Sequence, residues 1–121
     1  MFPAVGEEYA SSCVQDATRI GENESRLRKV NEGIDAGRGL ADVDERLPFV
    51  CECGRLGCSE VLELRVGDYE RVRRSGRRFV VIPGHANDEV ERVVEDAGTY
   101  VVVEKFGAAA DAAEAHDPRA G

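Results

Sequence analysis

The chain has 121 residues, the length of one small domain with a modest core, and its composition, 42% hydrophobic and 33% charged, excludes a disordered or fibrous protein. A net charge of -8 excludes a whole-surface role on DNA, RNA or an anionic membrane, because phosphate neutralisation needs a positive field. No apolar run approaches the roughly 18 residues of a membrane span, and Met1 to Gly6 has neither the basic region nor the apolar core of a signal peptide, so a cytoplasmic setting is expected.

Residues 1–22 show no sustained period and are expected to form a flexible arm that carries Cys13. From Asn23 a helix is predicted: Asn23 can cap it, Glu24 favours its positive start, and Leu27, Val30 and Ile34 share a face before Gly37 ends it. That apolar stripe should cover the sheet, while Glu24, Arg28 and Glu32, with Asn31 beside them, should form the solvated face. After a polar link to Pro48 the period changes. Phe49 and Val50 enter a strand that carries Cys51 and Cys53, Gly54 to Gly57 make a turn, and Glu60 to Arg65 form the returning strand.

Asp68 to Arg74 reads as a short helix closed by Gly76, and Arg78 to Ile82 as a buried strand closed by Pro83 and Gly84. Val90 to Glu95 and Tyr100 to Lys105 flank an Asp96-Ala97-Gly98-Thr99 turn and read as a hairpin. The expected fold is therefore α+β: a small antiparallel sheet of hairpins with a zinc knuckle, an N-terminal amphipathic helix and a short helix between strands. The domain should span 23–107. In 108–121 the alanine run has high helix propensity but no large apolar face, and is expected to be a fraying helix or a disordered tail.

Cys51, Cys53 and Cys58 place three thiols within eight residues. Pleating puts Cys51 and Cys53 on one side of a strand, and the glycines of the turn let Cys58 return toward them. In a reducing compartment such spacing points to metal before disulfide, and tetrahedral zinc asks for a fourth ligand. His85 is the leading candidate, since it follows a Pro-Gly turn at the end of a strand. Cys13 and His116 are the alternatives. A Cys51–Cys58 disulfide is the competing reading.

A four-ligand shell argues for a structural ion, and Glu52 and Glu60 lie near enough to raise the idea of a general base at an open site. The chain nevertheless has no His-x-Glu with Pro-Cys-x-x-Cys, no Gly-rich phosphate loop and no His-Glu-x-x-His, so no catalytic residue is assigned. Arg71, Arg73, Arg74, Arg77 and Arg78 could grip phosphates or an acidic partner, although a solvated helix C-terminus with Asp68 and Glu70 one turn away is the favoured account of them.

Asn31-Glu32, Phe49-Val50-Cys51-Glu52-Cys53, Cys58, Asp68 to Arg73, Arg78-Phe79, Pro83-Gly84-His85 and Tyr100 to Lys105, in that order, resemble a family of small uncharacterised actinobacterial proteins over roughly 23–119. The resemblance implies an actinobacterial source and supports pairing the cysteines with His85, and it transfers no activity. The reading favoured is a non-enzymatic, zinc-binding interaction or regulatory module with a protein partner. A thiol redox sensor that releases zinc on oxidation, and nucleic-acid binding through Arg71–Arg78, are the alternatives.

Overall fold

A computed structural model describes residues 3–37, 42–55 and 57–119, with the side chains of the first helix described from Ile20 onward. The elements in chain order are α1 (Pro3–Ala36), β1 (Arg46–Val50), β2 (Val61–Arg65), α2 (Val66–Val72), β3 (Arg78–Val81), β4 (Glu91–Asp96), β5 (Val101–Lys105) and α3 (Gly107–Ala115). The architecture is α+β, with two antiparallel sheets, β1-β2 and β3-β5-β4. Among the described residues no helix is long and apolar enough to cross a membrane.

The Val101-Val102-Val103 run sits in the middle strand of the larger sheet, where β-branched side chains face cover on both sides. Its register pairs Phe79 with Val103, Val80 with Val102 and Val81 with Val101, so the two faces carry different residues. On one face Val80 and Val102 pack with Phe49, Leu62, Leu64, Tyr69, Val72 and Tyr100. On the other, Phe79, Val81, Val101 and Val103 pack with Cys51, Cys53 and Ala113. The β4–β5 hairpin forms as expected, and a register shift between Val93 and Glu95 kinks its outer strand. Such an irregular edge is a poor template for pairing with another chain.

Helix α1 begins at Pro3 rather than at Asn23, so helical backbone runs through most of the segment expected to be an arm. Proline is well suited to a first turn, where its missing N–H has no partner to lose. The orientation of α1 is also the reverse of the expected one. Its buried stripe is Glu24, Arg28, Asn31 and Asp35, whereas Val30 is 45% exposed and Leu27 and Ile34 are only half-buried. These four polar residues have the helical spacing of a core face, and the described partners of three of them explain why burial is tolerated. Glu24 meets Lys105 Nζ at 2.7 Å, Arg28 donates to the carbonyls of Gly76 at 2.8 Å and Ala113 at 2.7 Å, and Asn31 bonds both N–H and C=O of Val50. The Arg28 guanidinium also lies 4.4 Å from the centre of the Phe79 ring.

The alanine run folds into α3, with Ala110 and Ala113 buried. Beyond it Asp117 pairs with Arg73, and Arg119 bonds Glu32 and Glu70, which ties the end of the described chain to α1 and α2.

Candidate metal centre

The cysteine segment leaves β1 directly. The strand ends at Val50, so Cys51 and Cys53 lie just past it rather than within it, although the Cys51 N–H still reaches the Glu60 carbonyl at 3.0 Å and prolongs the hairpin. Gly54 and Gly57 then adopt positive φ, and the Cys58 N–H closes a turn on the Arg55 carbonyl. His85 arrives from the other sheet. Gly84 follows Pro83 with φ near 92°, and the His85 N–H returns to the Ile82 carbonyl at 2.9 Å, which aims the imidazole at the cysteines.

The three sulfurs and a histidine nitrogen all lie within 4.8 Å of one another. His85 Nδ1 is 3.7 Å from Cys51 Sγ and 3.6 Å from Cys58 Sγ. Ligand bonds of about 2.3 Å to sulfur and 2.0 to 2.1 Å to nitrogen at tetrahedral angles demand a sulfur–nitrogen separation of about 3.6 Å. The side chains are thus spaced as the edges of such a tetrahedron. Of the expected set, Cys51, Cys53, Cys58 and His85 come together. His116 lines a groove elsewhere, and the side chain of Cys13 lies outside the described residues.

Backbone donors attend two of the sulfurs: the Ile82 N–H points to Cys51 Sγ at 3.2 Å and the Arg55 N–H to Cys53 Sγ at 3.4 Å. Burial pushes the Cys51 thiol up to about 12 and raises Cys53 as well, while these donors pull the other way. Without a cation both thiols therefore keep their protons at neutral pH. A divalent ion would reverse that balance, because a coordinated thiol is deprotonated. Cys51 and Cys53 are buried, and Cys58 and His85 are half-exposed, so one side of the cluster faces solvent.

Glu52 is the residue whose role the sequence reading missed. It is fully buried and points away from the sulfurs: Oε1 accepts the Val80 N–H at 3.0 Å, and Oε2 accepts Asn31 Nδ2 at 2.8 Å and the Tyr69 hydroxyl at 3.2 Å. Its own N–H donates to the Val80 carbonyl at 2.8 Å. Glu52 therefore seals the free edge of β3 and joins the two sheets, and it is placed to do this rather than to act as a base at the cluster. The strand alternation expected from the sequence, with Cys51 and Cys53 on one side, would put Glu52 on the other, and that was the available signal.

The loop is also clamped to α1. Asn23 Nδ2 donates to the Gly54 carbonyl at 3.2 Å, and a Cβ on Gly54 would come within 2.5 Å of the Ile20 carbonyl oxygen. Only glycine fits there, in both φ and space.

The arginines are largely engaged inside the molecule. Arg71 makes a two-pronged contact with Glu95 at 2.7 and 2.9 Å, Arg73 is buried against Glu32 and Asp117, Arg77 meets Glu114 and Arg78 meets Glu104. Arg74 is exposed. No protein-family model, curated protein or solved structure matches this chain.

Proposed function

We propose that Cys51, Cys53, Cys58 and His85 hold one zinc ion, and that the closed centre stabilises a non-enzymatic interaction or regulatory module with a protein partner in the cytoplasm. The observation that carries this reading is the position of His85 Nδ1, at tetrahedral-edge distance from two thiol sulfurs. Thiolate and imidazole donors suit zinc better than hard cations such as magnesium or calcium. Four protein ligands fill a tetrahedron and leave no position for water, which favours a structural ion over a catalytic one. Such an ion would fasten the loop after β1 to the turn after β3, while Glu52 joins the same loop to β3 itself at Val80. Metal analysis with native mass spectrometry should give one zinc per chain, and Cys51→Ser should lose it. A chain that stays fully folded after chelation would sink the reading.

Half-exposure of Cys58 favours a second reading, redox sensing. Peroxide would take two electrons from two cluster thiolates, forming a disulfide and, with two protons, two molecules of water, as zinc leaves. Peroxide treatment should then release zinc while two thiols disappear, and an inert cluster would rule sensing out. Nucleic-acid binding has the least support, since four of the five arginines already face carboxylates.

A further inference from the structure

A cavity of about 770 Å³ lies between α1 and α3, away from the cysteine cluster. It exists because both helices turn small residues toward it, Gly21 and Ser25 from α1 and Ala109, Ala112 and Ala113 from α3. At about 30 Å³ each, roughly 25 waters would fill it, many of them against apolar wall. That volume falls in the range of sites for small organic ligands, in which an apolar lining is combined with a few fixed polar groups.

Here the polar groups are sorted by depth. At the bottom, beside the buried Phe79 ring, Lys105 Nζ pairs with the carboxylates of Glu24 at 2.7 Å and Glu91 at 2.6 Å. Lys105 and Glu24 are both more than nine-tenths buried and both line the cavity. The contact to Glu24 is a hydrogen bond, that to Glu91 is an ion pair, and the ammonium also lies 5.4 Å from the centre of the Phe79 ring. At the mouth stand Arg26, Lys29 and His116, opposed by Glu22. Arg26 and Lys29 are exposed, and Arg26 is held by Asn23 Oδ1 at 2.9 Å. A cationic mouth on a chain of net charge -8 runs against the rest of the surface and repels organic cations.

We propose that this groove binds a small organic anion with a flat apolar body. The anionic head sits at Arg26 and Lys29, and the body lies along the α3 alanines, with the buried Phe79 at the floor. The binding is independent of the metal reading, since none of the cluster ligands lines the groove.

The test uses the full-length, zinc-supplemented chain and the fluorescent probe 1-anilinonaphthalene-8-sulfonate, with neutral N-phenyl-1-naphthylamine as its uncharged counterpart. The sulfonate should saturate at one per chain and bind at least about tenfold more tightly than the neutral probe. Ala112→Phe, which fills the groove, and the double change Arg26→Glu with Lys29→Glu, which reverses the mouth, should each weaken it about tenfold. The charge reversal is confined to exposed side chains, so it tests the groove even where Ala112→Phe perturbs folding. Circular dichroism melting curves that match the unmodified chain separate groove binding from dye uptake by loosened protein. Binding that does not saturate, or equal affinity for both probes, or no response to the charge reversal, would overturn the proposal.

Discussion

On one face of the β3-β5-β4 sheet Val80 and Val102 meet Phe49, Leu62, Leu64, Tyr69 and Val72, whereas on the other Phe79, Val81, Val101 and Val103 meet Cys51, Cys53 and Ala113. The first face is closed by apolar volume, including Phe49 and Tyr69 stacked with ring centres 4.4 Å apart. The second has small side chains where the first has large ones. It is closed instead by directional contacts: Arg28 and Lys105 over the Phe79 ring, backbone donors on sulfur, and the Cys and His cluster. Apolar packing tolerates changes of pH and redox state, and coordination and buried ion pairs do not. A single small domain thus carries one side that is chemically inert and one that is chemically responsive.

The largest effect should come from the inert side. Phe49→Ala removes a side chain with no exposure and should cost about 3 to 5 kcal/mol in denaturant unfolding. Below its lowered melting temperature the variant should still bind the proposed zinc ion, one per chain. A folded Phe49→Ala protein that has lost its metal would show that the two faces are one cooperative unit and that the contrast is only compositional.

Next in size is the residue that links them. Glu52 accepts three hydrogen bonds from Val80, Asn31 and Tyr69, all donors, which is the pattern of an ionised carboxylate even though burial raises its pKa. Glu52→Gln would turn an amide NH2 toward one of those donors and should cost about 1 to 3 kcal/mol. Hydrogen exchange at the Val80 amide should quicken by more than at Val102, which lies in the middle strand. A neutral substitution would mean that Glu52 already carries a proton, and the link would then be weaker than the distances suggest.

The responsive side was only partly legible in the sequence, and the reason is physical. Strands β3 and β5 announce themselves through valine runs, and the β4–β5 hairpin through Gly98 in its turn, because these are local signals. The ligand set was equally local, three cysteines on one turn and a histidine behind Pro83-Gly84. The polar stripe of α1 was not, since its partners are remote: Arg28 bonds a carbonyl 85 residues away and Glu24 a lysine 81 residues away. A sequence window sees Glu24 and Arg28 as a solvated pair and assigns burial to Leu27 and Val30. Within the arginine run likewise, nothing local separates Arg73, which is buried, from Arg74, which is exposed.

The smallest effect is the one that isolates this responsiveness from the metal. Burial lifts the Glu24 carboxyl from its ordinary 4.5 to about 7, with Lys105 pulling it down and Glu91 and Glu52 adding to the rise. The folded chain therefore holds that proton more tightly than the unfolded chain. The stability from Glu24 is present in full below about 4.5 and is lost as pH rises through 7. Glu24→Gln stays neutral throughout and has no such slope. Unfolding free energies of the two zinc-saturated proteins, compared between pH 6 and 8, should diverge: the unmodified chain should lose about 1 kcal/mol relative to the variant as pH rises. Metal affinity also falls in acid, but that dependence is common to both proteins and cancels in the difference. A flat difference would place the titration of Glu24 outside this window and make the Glu24, Lys105 and Glu91 group as inert as the face across the sheet.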